Sequence, residues 1–72
     1  MNEFSPQWRT LNTSWPEEGT MVDIVYEPVG DDKVIVINVS FIVDRYGNAT
    51  FKKNEQEYFI PSITGWRYTM ER

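Results

Sequence analysis

The chain contains neither cysteine nor histidine. Disulfides, a thiolate nucleophile, zinc-finger or haem ligand sets and a Ser-His-Asp arrangement are therefore excluded from it. No run approaches the roughly 18 apolar residues of a membrane-spanning helix. The stretch from Met1 to Trp8 has neither the basic nor the apolar region of a secretory leader. No membrane association and a cytoplasmic location are expected. None of the four glycines stands in a G-x-x-x-x-G-K-[ST] or G-x-G-x-x-G pattern, so no glycine-rich loop is available to cradle phosphates.

What is present is a chain of 72 residues, 40% hydrophobic and 15% aromatic, with a net charge of −4. That composition describes one small globular domain over 1–72, with the segment 1–7 expected to be flexible. So short a chain leaves about 40% of its unfolded surface exposed after folding. Its aromatic residues, three of them Trp, are therefore expected first as core-fillers, each able to bury about 150–250 Å². A homodimer is the other way for so small a core to grow.

Charge is unevenly spread along the chain. Residues 1–32 carry seven acids (Glu3, Glu17, Glu18, Asp23, Glu27, Asp31 and Asp32) against Arg9 alone, a sum of −6, and residues 33–72 sum to +2. Direct nucleic-acid binding is disfavoured, because it depends on clustered Lys and Arg. An acidic half suits a basic protein surface or simply solubility.

Period two dominates the pattern. Val22, Ile24 and Tyr26 alternate with Asp23 and Glu27, which predicts a half-buried strand over Met21–Glu27 closed by Pro28. Gly30-Asp31-Asp32 supplies the next turn. From Val34 to Val43 the odd-numbered face (Ile35, Ile37, Val39, Phe41, Val43) is wholly apolar and is expected to be core. Asp44 to Asn48 reads as a hairpin loop, after which Ala49–Lys52 returns with Phe51 inward. A short strand over Glu57–Ile60, a connection over Pro61–Thr64 and a last strand carrying Trp66, Tyr68 and Met70 complete the chain. Only Ser14-Trp15-Pro16-Glu17 reads as helical, one capped turn ended by Gly19 and anchored by Trp15. The expected fold is all-β: an antiparallel meander of four to five strands, either an open sheet or a small barrel of the SH3 or OB kind. An open sheet would need its apolar face covered by the Trp-rich N-terminal segment or the last strand.

Trp8-Arg9, Thr13, Pro16, Gly19-Thr20 and Val22-Asp23-Ile24-Val25, followed by Thr64-Gly65-Trp66, resemble a family of small phage and prophage domains of unknown function. Its members open with W-R-P-I-x-T-A-P-K-D-G-T-x-V-L-L and close with T-H-W-M-P-L-P. Here Thr10 stands at the family's Pro, Gly65 at its closing His, and Arg67-Tyr68 in its Pro-containing tail. The resemblance covers about a third of the chain and implies a phage or prophage origin, an all-β fold, the host cytosol as location and no established catalytic chemistry.

Carboxylates stand side by side at Glu17-Glu18 and Asp31-Asp32, both in expected turns. Acid/base chemistry needs carboxyls facing one cleft, and calcium binding needs a D-x-D-x-D-G spacing that is absent. No enzyme activity, metal or cofactor is expected. Aromatics beside arginine, at Trp8-Arg9 and Trp66-Arg67-Tyr68, are the one feature able to make a recognition surface. Buried Trp rings beneath Arg stems explain the same residues structurally. The functional expectation is a non-catalytic protein that binds a host protein, with inhibition of that protein as one outcome. Its candidate surface combines Trp8, Arg9, Glu17, Glu18, Asp31, Asp32, Trp66, Arg67 and Tyr68. The competing expectations are a β module that sequesters a nucleotide or other small ligand against Trp8, Trp66, Arg67 and Tyr68, and an oligomerising structural accessory protein.

Overall fold

In the computed structural model, which describes residues 8–71, five strands form one open antiparallel sheet. They are β1 (Met21–Tyr26), β2 (Val34–Val43), β3 (Ala49–Lys53), β4 (Gln56–Tyr58) and β5 (Ile63–Tyr68), in the order β4-β3-β2-β1-β5. The expected flexibility of 1–7 concerns residues outside those described. β1 to β4 are a meander. A 3-10 turn over Ile60–Ser62 then carries the chain to the far edge, where β5 pairs with β1, and a second 3-10 turn follows over Thr69–Glu71.

Local chemistry sets the turns. Gly30, with φ 85°, occupies the third position of a turn closed by Asp31 N–H donating to Pro28 C=O. In the β2–β3 loop the Asp44 carboxylate accepts the N–H groups of Tyr46 (2.8 Å) and Asn48 (2.9 Å), and Gly47 takes φ 85°. A short polar side chain folding the backbone onto itself, followed by a left-handed glycine, is the usual economy of a three-residue hairpin loop.

The inner face of the sheet holds the core: Val22, Ile24, Val39, Phe41, Phe51, Ile63 and Trp66. The N-terminal segment covers it, with Pro16 buried and the Trp15 ring 5.9 Å from Phe41 and 6.2 Å from Phe51. Trp15 is thus the expected anchor, although 47% of it stays exposed. The covering segment forms no helical turn at Ser14–Gly19. Tertiary partners take the groups a helix would use: Ser14 C=O accepts the Trp66 indole N–H, and the Tyr68 hydroxyl accepts Glu17 N–H. One helical-type turn forms a step earlier, with Ser14 N–H donating to Thr10 C=O.

β2 departs from the expected alternation. Val39 and Phe41 are buried as predicted, whereas Ile35 is 58% and Ile37 38% exposed. Val22 pairs with Val39 but Ile24 pairs with Val36, so β2 carries one more residue than β1 at this point. The extra residue produces a bulge at Asn38, where φ is 60°. A bulge resets side-chain parity, and Asn tolerates the left-handed region better than most residues. Before the bulge the even-numbered residues point inward; after it the odd-numbered ones do. The last strand is shifted from the expected one: it begins at Ile63, inside the expected 61–64 connection, and ends at Tyr68, with Met70 exposed in the closing 3-10 turn.

Candidate functional site

The β1–β5 register sorts the predicted aromatic and basic residues onto two faces. Asp23 pairs with Arg67, Ile24 with Trp66 and Val25 with Gly65. Trp66 therefore shares the inner face with Ile24, while Arg67 and Gly65 lie on the outer face. Trp66 is 1% exposed, so it contributes to the core and not to a contact surface. Tyr68 meets it edge-on at 5.0 Å between ring centroids.

Arg9 is engaged on the inner side as well. It exchanges backbone hydrogen bonds of 2.8 Å with Trp66, and its guanidinium lies 5.0 Å from the Trp66 ring. Both terminal nitrogens donate to the Glu71 carboxylate, at 2.8 and 2.9 Å. This bidentate hydrogen bonding holds the Glu71 carboxyl below its ordinary pKa and raises that of Arg9.

On the outer face, Asp23 is fully buried and organises three segments. Its carboxylate accepts Asn38 N–H at 3.1 Å, the Thr69 hydroxyl at 2.8 Å and Arg67 Nε–H at 3.0 Å. Arg67 is thereby held flat, with its guanidinium 4.3 Å from the Trp8 ring centroid. Trp8 packs over Gly65, where an added Cβ would stand 3.4 Å from the Trp8 Cβ, at the near limit of ordinary contact. Val25 and its cross-strand partner Ile35 continue the surface, and Ile37 follows along β2. The result is an Arg–Trp stack, both types that dominate binding hot spots, beside exposed aliphatic side chains.

The four turn acids are all exposed but do not converge. Glu17 and Glu18 precede β1, and Asp31 and Asp32 follow it, so the strand's six residues separate them by about 20 Å at roughly 3.3 Å per residue. Asp31 and Asp32 border the exposed start of β2. Between Glu17, Thr20, Met21, Tyr68, Thr69 and Met70 lies an open groove of about 560 Å³, with no Lys or Arg in its lining. Among the described residues no three His, Cys, Asp or Glu side chains gather as a metal site.

Of the predicted residues, the fold brings Trp8 and Arg67 together on one face, and Arg9, Trp66 and Tyr68 together on the other. Asp23, Gly65, Ile35 and Ile37 complete the outer face. The pattern placed Asp23 on the polar side of its strand and Ile35 and Ile37 in the core; Arg67 and Thr69 bond to the first in its buried place, and the bulge, which a lone Asn in an apolar run hints at, turns the other two outward. No family model, curated protein or solved structure matches the chain. Among the described residues no helix is long and apolar enough to cross a membrane.

Proposed function

We propose that the chain is a non-catalytic protein-binding module that engages a host protein through the outer face of its sheet and inhibits it by occupying it. A phage or prophage origin, implied by the opening and closing motifs, belongs to the same proposal. The carrying observation is Arg67, its side chain 14% exposed, held between the buried Asp23 carboxylate and the half-buried Trp8 ring, next to exposed Ile35 and Ile37. A guanidinium already fixed in place loses little side-chain entropy on binding, and flanking aliphatic groups exclude water around it. Asp31 and Asp32 at the rim favour a partner with a basic border, acting more on association rate than on affinity.

Affinity capture from host lysate tests this with three forms of the chain. Trp8→Ala should abolish capture of a stoichiometric partner, and Asp31→Lys with Asp32→Lys should weaken it most at low salt. Glu17→Lys with Glu18→Lys, at the other end of β1, should leave it intact. No partner at all, or capture indifferent to Trp8→Ala, defeats the proposal. Sequestration of a nucleotide has less support: Trp8 and Arg67 are separated by the sheet from Trp66 and Tyr68, and the 560 Å³ groove offers a phosphate no cation.

A further inference from the structure

Among the described residues, the first half of β2 has a strand on one side only. β3 pairs with Ser40 to Val43, leaving Val34 to Ile37 as an edge beside β1. The Ile37 carbonyl faces away from β1, where it accepts the Lys53 ammonium at 2.8 Å. Backbone groups alternate in direction along an antiparallel strand, so the N–H and C=O of Ile35 face the same way. Neither has a partner among the described residues. Val34, Ile35 and Ile37 are exposed here, with no charge or proline between Val34 and Ile37; the Lys53 ammonium caps the Ile37 carbonyl at one end and leaves the edge at Ile35 open.

We propose that this edge pairs with the same edge of a second copy of the chain, antiparallel about a two-fold axis between the two Ile35 residues. In that register Val34 faces Val36 and Lys33 faces Ile37, so the segment is complementary to itself. Charge agrees: Asp31 and Asp32 run before the edge and Lys52 and Lys53 stand beyond its other end. The two-fold brings the acids of each copy alongside the lysines of the other. On the outer face the Val25–Ile35 row of one copy continues into the Ile35–Val25 row of the next, so the two aliphatic rows meet side by side along the ladder. A ladder of about five residues makes a small interface, so association is weak and concentration-dependent. The inference goes beyond partner binding, since it concerns the sheet's edge and leaves the Trp8–Arg67 face open in both copies.

A chain without cysteine makes the test direct. In a hydrogen-bonded antiparallel pair the facing Cα atoms lie about 5.5 Å apart, within the roughly 4.4–6.8 Å a disulfide spans. Mild oxidation of Ile35→Cys should give a covalent dimer, while Ile42→Cys, exposed on the same face in the paired half of β2, stays monomeric. Sedimentation velocity of the unmodified chain should show a dimer that grows with concentration. Ile35→Pro, which removes an N–H that β1 does not use, should abolish it with the β-sheet circular dichroism retained. If the proline variant does not fold, Ile35→Lys takes its place. A monomer at every concentration, or equal cross-linking at Ile35→Cys and Ile42→Cys, overturns the proposal. Absence of any dimer overturns the proposal whatever Ile35→Pro does to host-protein capture, because Ile35 also lies on the outer face proposed to meet the host protein. Trp8→Ala lies outside the ladder, so its effect on capture reports on the outer face alone.

Discussion

Asp23 carries more of the structure than any other polar residue described. A buried carboxylate that satisfies a guanidinium, a hydroxyl and a bulge N–H becomes expensive to remove, because all three donors are then stranded. Asp23→Ala should cost about 3–5 kcal/mol, against a total stability of roughly 4–11 kcal/mol at about 0.05–0.15 kcal/mol per residue. Urea unfolding followed by tryptophan fluorescence should show the midpoint collapse. Arg9 and Glu71 form the contrasting, exposed pair. Hydrogen bonding to Arg9 lowers the Glu71 pKa, so the pair's contribution is present above the ordinary glutamate value of about 4.3 and is lost as pH falls through the lowered one. With both side chains more than a third exposed, that contribution is about 0.2–1 kcal/mol and salt-screened. Glu71→Gln should match the parent once the pH has fallen below the lowered Glu71 pKa and be slightly less stable at neutral pH, as read by thermal melts from acid to neutral pH. Neither residue's role was legible in the sequence. Asp23 finds Arg67 and Thr69 more than 40 positions away, and period two marks only which side it faces.

At the scale of elements, the strands were legible and their faces only partly so. β2 starts and ends where Gly30 and Asp44 predicted, and β1 ends at Tyr26, one residue before the predicted Glu27, because each turn residue acts on its own local backbone. Side-chain facing is a cumulative property, and one residue at φ 60° reverses everything beyond it. Ile35 and Ile37 accordingly moved from expected core to exposed face. Asn38→Val forces a β-branched residue into the left-handed region, which costs about 1–2 kcal/mol. Asn38→Gly removes that steric cost and should be close to neutral. Equal destabilisation by both variants, measured by chemical denaturation, would mean that the Asn side chain and not the backbone holds the bulge. The Ser14–Gly19 turn failed for a related reason: its capping groups found better partners in Trp66 and Tyr68, which no local pattern contains.

For the whole molecule, a sheet of five strands and one covering segment leaves little redundancy. Phe51 is fully buried and its ring lies 4.9 Å from Phe41, so Phe51→Ala, at about 3–5 kcal/mol, should leave a substantial unfolded population at room temperature by circular dichroism. The candidate surface was legible as residue types, Trp beside Arg, but not as a surface, since the register that sends Trp66 inward and Arg67 outward exists only once β1 and β5 pair. β2 is the one strand that serves both ends of the sheet: its first half ladders with β1 alone, and its second half also holds β3. Neither β3–β4 nor β5 can remain ordered without the scaffold this strand supplies. Native-state hydrogen exchange should therefore find the slowest amides of β1 and β2 opening together at a single free energy equal to that of global unfolding. β4, at the far edge, should exchange through smaller openings of its own.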